Sequence, residues 1–151
     1  MTREEKCKLA IERGYTYNPE TGLIYNRYGK ISKSMNCNTH YIQLNIHINK
    51  KSFIVLGHQF AWYWVNKECV EEIDHINGIR NDNRIFNLRS VTRQQNQFNR
   101  KKAKGYCWNK VTKKWQVQIK LNQKSIYLGL HNTEEEARNA YLQAKEKYHV
   151  I

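Results

Sequence analysis

The stretch from Glu72 to Asn96 constrains the fold most, because its signals leave room for one kind of unit. Glu72 to His75 reads as a short strand, Asn77-Gly78 as a turn signal, and Leu88 to Val91 as a returning strand. Thr92-Arg93-Gln94-Gln95 then has the form of a capping box, with Thr92 capping a helix and Gln95 reaching back. Strand, long turn, strand and helix make a small ββα unit. Asn96 stands one turn into the helix, where it can face the end of the strand bearing Asp74 and His75. An isolated Asp-His pair before Asn-Gly is ordinarily a surface turn. Here Asn87 and Asn96 follow in register, so a carboxylate, an imidazole and a second oxygen donor gather on one unit. A divalent cation beside a histidine base is sufficient to hydrolyse a phosphodiester.

The flanking pattern fills in an α+β fold. Residues 2 to 13 suggest a helix ending at Gly14, and Tyr15 to Tyr28 a hairpin turning at Asn18-Pro19-Glu20-Thr21-Gly22. Ile42, Leu44, Ile46 and Ile48 alternate with polar residues, a half-buried strand that turns at Asn49-Lys50-Lys51 into a second one, Ser52 to Leu56. His58 to Val65, carrying Phe60, Trp62, Tyr63 and Trp64, suggests a buried helix on those strands. Arg100 to Lys104 reads as a basic linker, and after it the pattern restarts. Trp115, Val117, Ile119 and Leu121 alternate with Gln116, Gln118 and Lys120; Asn122-Gln123 makes a tight turn, and Ser125 to Leu130 returns. Thr133-Glu134-Glu135-Glu136 is a second capping box, before a helix whose apolar face is Ala137, Ala140, Tyr141, Ala144 and Tyr148. The expected division is a domain over 1–99, a linker over 100–104 and a second domain of three strands and a helix over 105–151.

Charge selects the partner. The net charge is +13, and no acidic residue lies between Asp82 and Glu134, a stretch that holds twelve Lys or Arg. Such a stretch has no internal neutralisation and collects polyanions. Its basic residues are interleaved with strands and turns rather than laid along an amphipathic helix, which favours nucleic acid over a membrane surface. No run of 18 apolar residues and no apolar leader is present, so a membrane span and a secretory signal are not expected, and a cytoplasmic protein of a bacterium or phage-infected cell is. Cys7, Cys37, Cys69 and Cys107 stand alone without a Cys-x-x-Cys pair, which reads as reduced thiols rather than zinc ligands or a disulfide framework. Cys107 reads as a small buried filler. His40, His47, His131 and His149 have no partners by spacing and read as structural or exposed. Trp62 and Trp64 read as core, and Trp108 as able to stack on a base.

The stretch IDHINGIRNDNRIFNLRSVTRQQNQFNR resembles the HNH endonuclease family, in the branch common in phage and mobile introns, and the likeness reaches back through His58 over roughly residues 15 to 100. The resemblance implies a ββα-metal core in which Asp74 and Asn96 ligate one divalent metal. It makes His75 the general base, with Asn87 fixing the loop and orienting His75. His58 matches a frequent family position, while Gln59 stands where arginine is usual. Oxygen ligands of low charge suit Mg²⁺ or Mn²⁺. The family analogy implies duplex DNA as substrate, with 5′-phosphate and 3′-hydroxyl products, and a monomer or homodimer.

From Lys104 to about Tyr148 the chain resembles an APETALA2-type DNA-binding domain, through Gly105-Tyr106, Lys114-Trp115-Gln116-Val117, Tyr127-Leu128-Gly129 and Thr133-x-Glu-Glu-Ala137. In that family a three-stranded sheet enters the major groove. Alternation assigns the faces independently: Trp115, Val117, Ile119, Ile126 and Leu128 toward the helix, and Gln116, Gln118, Lys120, Ser125 and Tyr127 outward. With Arg84, Arg89, Arg93, Lys104, Lys113 and Lys124, the polar members Gln116, Gln118, Lys120 and Tyr127 make the expected DNA-contacting set. Two other functions remain open at this point: a DNA-binding regulator whose nuclease centre is inactive, and a basic structural or RNA-binding protein without chemistry.

Overall fold

The computed structural model describes residues 1–98 and 104–149. It is a mixed α+β chain of four α-helices and small antiparallel sheets among those residues, as the alternating patterns require. The chain divides into two compact units, Met1–Val91 and Thr92–Ile151, each taken by itself below. The expected linker at 100–104 lies outside the described residues except for Lys104.

In the first unit, α1 (Arg3–Glu12) starts at a capping box: Thr2 Oγ1 accepts from the Glu5 amide while the Glu5 carboxylate accepts from the Thr2 amide. A two-rung hairpin follows, β1 (Thr16–Tyr17) against β2 (Ile24–Tyr25). Strands β3 (Gln43–Ile48) and β4 (Lys51–Leu56) then pair in full register from Gln43–Leu56 to Ile48–Lys51. Asn49 and Lys50 between them both take positive φ, the two-residue turn whose twist matches that of the strands.

Helix α2 (Gly57–Asn66) continues directly from β4 and buries Phe60, Ala61 and Tyr63. These meet Leu44, Ile46 and Val55 from the sheet, Cys7 and Ala10 from α1, and Tyr17 and Ile24 from the hairpin. Phe60, Leu44 and Val55 are almost wholly withdrawn from water, and a buried side chain of that kind contributes about 1.5–3 kcal/mol. Trp62 and Trp64 pack against the same core, as expected. The unit closes with β5 (Glu72–His75) paired to β6 (Leu88–Val91) and a single 3₁₀ turn, Ile85–Asn87, ahead of β6.

The second unit opens with α3 (Arg93–Phe98), whose Thr92–Gln95 capping box forms as the sequence implies. Strands β7 (Tyr106–Asn109), β8 (Lys114–Leu121) and β9 (Lys124–His131) make an antiparallel sheet in that order. Helix α4 (Glu134–Tyr148) packs Ala137, Tyr141 and Ala144 onto Val117 and Ile119. Gly105 belongs to this contact. A β-carbon there would come within 2.0 Å of the Tyr141 ring, at a φ of +70° that side chains disfavour. Alternation fails at one place, an irregularity between Gln116 and Gln118 that shifts the pairing with β9. Cys107, expected as a buried filler, is exposed: β7 is an edge strand, and only one face of the sheet is covered by α4. No helix among the described residues is long and apolar enough to cross a membrane.

Candidate active site

His75 and Asp74 end a strand that is buried on arrival, with His75 at 5% exposure and Asp74 at 9%. Both are held. Asp74 Oδ2 accepts from Arg89 Nε at 2.9 Å and pairs with Arg89 Nη2 at 2.8 Å, across the rung that sets Asp74 against Arg89. This places a cation beside the carboxylate, and it engages an arginine that the sequence offered as a DNA contact.

The imidazole of His75 lies against two rings, Tyr41 at 5.9 Å and His58 edge-on at 5.3 Å. Its Nε2 is 3.1 Å from Asn83 Oδ1. A carboxamide oxygen can only accept, so Nε2 carries the proton and Nδ1 keeps a lone pair. Burial holds the His75 pKa below the ordinary histidine range, against the opposing pull of the Asn83 hydrogen bond and the Asp74 charge. A neutral imidazole with an available nitrogen is the form a general base needs.

Asn87 acts on the turn. Its Oδ1 accepts from the Asn77 amide at 3.0 Å, and its Nδ2 donates to Asn77 Oδ1 at 3.0 Å and to the Asp82 carbonyl at 2.9 Å. Asp82 takes both arms of the Arg84 guanidinium, at 2.7 and 2.6 Å, and the hydrogen bonds from Arg84 bring its pKa down to about 2. Arg84 therefore also has a carboxylate partner, and it stacks over Phe86 at 4.7 Å. The side chain on the imidazole is Asn83, which the sequence reading missed. It is one polar residue in the run Asn81-Asp82-Asn83, where nothing in the sequence separates the buried member from exposed turn residues.

His58 is 7% exposed, and its Nδ1 is buried without a hydrogen-bond partner. Burial first, and then the neighbouring His75 and Arg3, lower its pKa to about 3, so it is a neutral wall beside Tyr41 and His75. A neutral ring offers a phosphate no charge.

The donors proposed from sequence for a metal fit a hard cation by chemistry, being a carboxylate and a carboxamide. Asn96 is in α3, in the second unit, and Asp74 in the first. Among the described residues no three His, Cys, Asp or Glu side chains gather as a metal cage.

On the second unit, Gln118, Lys120 and Ser125 are exposed, and Tyr127 is 59% exposed, on the face away from α4; Lys124 is exposed at the head of β9, paired with Leu121 on the other face. Arg93, Lys104 and Lys113 are exposed as well. Gln116 is half-buried, and its Oε1 accepts from Asn109 Nδ2 at 3.1 Å. Trp108 is 47% exposed and set edge-on to Trp115.

Residues 58–98 match the model of the HNH endonuclease family. The match begins at His58 and ends with α3, and it covers the segment that holds Asp74, His75, Asn87 and Asn96. Among solved structures the chain is similar to one described as "DNA binding and cleavage by the HNH homing endonuclease I-HmuI", at 25% identity and a TM-score of 0.47. The likeness covers 56% of this chain and spans half the length of that one. No curated protein matches the chain.

Proposed function

We propose that this protein is a metal-dependent HNH endonuclease of homing or phage type that hydrolyses phosphodiester bonds of duplex DNA. The observation that carries the reading is His75: a buried, neutral imidazole whose Nε2 is engaged by Asn83, leaving Nδ1 to take a proton, inside the segment that matches the HNH family.

In the reaction His75 Nδ1 removes a proton from water, and the oxygen so activated attacks phosphorus in line with the departing 3′ oxygen, giving 5′-phosphate and 3′-hydroxyl ends. Asp74 and Asn96 would hold one Mg²⁺ or Mn²⁺, which when bound supplies charge stabilisation to the phosphate and the leaving oxygen. Arg89 pairs with the Asp74 carboxylate and fixes its orientation. Asn87 acts on the same centre by fixing the turn that carries Asn83.

Residues 105–151 form a separate DNA-docking module of APETALA2 type. Gln118, Lys120 and Tyr127 face the duplex, with Arg93, Lys104, Lys113 and Lys124 on phosphates. Gln116 reads bases only by giving up its bond to Asn109. The binding surface is basic throughout, since the chain from 83 to 133 has no carboxylate to repel the backbone.

His75→Ala and Asp74→Ala test the assignment. Each should stop cleavage of a duplex while leaving affinity for it largely unchanged, because loss of a general base alone costs about 10²- to 10⁴-fold in rate. Cutting by both variants at the wild-type rate would refute the site. A DNA-binding regulator with an inactive centre predicts instead that the wild-type chain binds duplex and cuts nothing in any divalent metal.

A further inference from the structure

The residue that accepts the hydrogen bond of His75 is itself fastened by parts of the chain outside the ββα motif. Asn83 is 2% exposed. Its backbone carbonyl accepts from the Tyr17 hydroxyl at 2.6 Å, a bond that spans the chain from β1 to the turn. Two residues on, the Ile85 amide donates to the Pro19 carbonyl at 3.1 Å. The hairpin turn also presses directly on this backbone: a β-carbon on Gly22 would sit 2.5 Å from the Arg84 nitrogen and 2.8 Å from the Asn83 carbonyl carbon.

The carboxamide end is enclosed from the other side. A β-carbon on Gly57, at the start of α2, would lie 2.8 Å from Asn83 Nδ2 and 2.9 Å from Ile42 Cβ. Gly57 has no positive φ, so its missing side chain leaves room for the amide rather than easing the backbone. Amide and imidazole thus meet inside a frame built by β1, the hairpin turn and the head of α2.

We infer that Asn83 is the positioning residue of the site: through Oδ1 it locks the His75 ring in the Nε2–H tautomer and turns Nδ1 toward the reacting water, and the Tyr17 hairpin and the space at Gly57 exist to hold it there. The inference rests on the nuclease reading for its consequence, but the tautomer is a property of the protein alone. A histidine whose far nitrogen is fixed by an acceptor has one orientation and one basic nitrogen. Released, it samples both tautomers and half-turns of the ring, and only a fraction of molecules present a base.

The experiment has two readouts on the full chain. Nitrogen-15 spectra of the histidine rings, with the His75 signals identified by their loss in His75→Gln, report which nitrogen carries the proton. Wild type should show a single Nε2–H form. Asn83→Leu, which fills similar space without an acceptor, should mix the tautomers and lower kcat by about 10- to 100-fold with KM little changed. Asn83→Asp, which keeps an acceptor at the same place, should restore the single form and most of the rate. Gly57→Ala is the second route, since it crowds the amide without deleting it, and should mix the tautomers in the same way even where Asn83→Leu fails to fold. An Nδ1–H or mixed ring in wild type overturns the inference, as does wild-type kcat in an Asn83→Leu protein of normal fold. A wild-type chain that holds the Nε2–H form yet cuts no duplex refutes the nuclease reading instead and leaves the lock standing.

Discussion

Replacing Asn87 with alanine removes three hydrogen bonds at once: one accepted from the Asn77 amide and two donated to Asn77 Oδ1 and the Asp82 carbonyl. Each such bond contributes about 1 kcal/mol net. Asn87 is buried but Asn77 is exposed, so water can reach the Asn77 groups once they are released, and the full cost of stranding them does not apply. The turn should therefore open at a cost lowered by about 2–3 kcal/mol, which is roughly 30- to 150-fold in an equilibrium constant. Hydrogen exchange by NMR reads this at one atom, because the Asn77 amide is the donor that loses its acceptor. Its exchange should accelerate by about that factor, while amides of β3 and β4, which pair with each other, should change far less. Cleavage should fall in the same variant, since Asp82 and Asn83 lie in the turn that Asn87 fastens. Full protection of Asn77 with cleavage abolished would refute the reasoning, because Asn87 would then act on the reacting groups directly.

Three further outcomes follow from the same geometry. His58 has a pKa of about 3 in the fold against about 6.5 when free, so it costs nothing above pH 6.5, and below it the unfolded chain binds a proton the fold refuses. Stability should fall by about 2 kcal/mol between pH 6.5 and pH 5 from this group, and denaturant titrations of His58→Phe should lose that share of the slope; an unchanged pH dependence would contradict a buried neutral His58. Because one carboxylate and one carboxamide give a single formal charge, metal should bind weakly without DNA, and EDTA should stop cutting with little change in Tm; a large drop in Tm on chelation would point to a structural metal. Removing 105–148 should weaken duplex binding but leave metal-dependent cutting, and Lys120→Glu or Lys124→Glu should flatten the salt dependence by about one unit per lost phosphate contact; unchanged affinity after truncation would end the docking role.

Much of this architecture was legible because short signals agreed with one another. The capping boxes at Thr92 and Thr133 both form, the period-two run from Ile42 to Ile48 is a strand with Leu44 and Ile46 inward, and the Asn122-Gln123 turn has the positive φ values a tight hairpin needs. These features are local, and local chemistry determines them. What could not be read depends on contacts between distant residues. Tyr17 and Asn83 are 66 positions apart, and no spacing rule couples a hairpin tyrosine to a turn asparagine. Arg84 and Arg89 looked like free cations in a stretch without acids, but Asp82 lies just before that stretch and Asp74 faces Arg89 across a strand rung. Cys107 looked like core because alternation does not say which face of a sheet is covered.

The central claim is hydrolysis of DNA by water activated at His75, and the chemistry of the ends tests it most directly. Full-length protein is incubated with a labelled duplex that it cuts, in Mg²⁺ or Mn²⁺ and in EDTA, beside His75→Ala. The fragments are then offered to DNA ligase without prior kinase or phosphatase treatment. The account predicts fragments bearing 5′-phosphate and 3′-hydroxyl ends that ligase rejoins, formed only with metal and only with His75 present. Fragments ending in 3′-phosphate, or cutting that persists in EDTA or in His75→Ala, would contradict it.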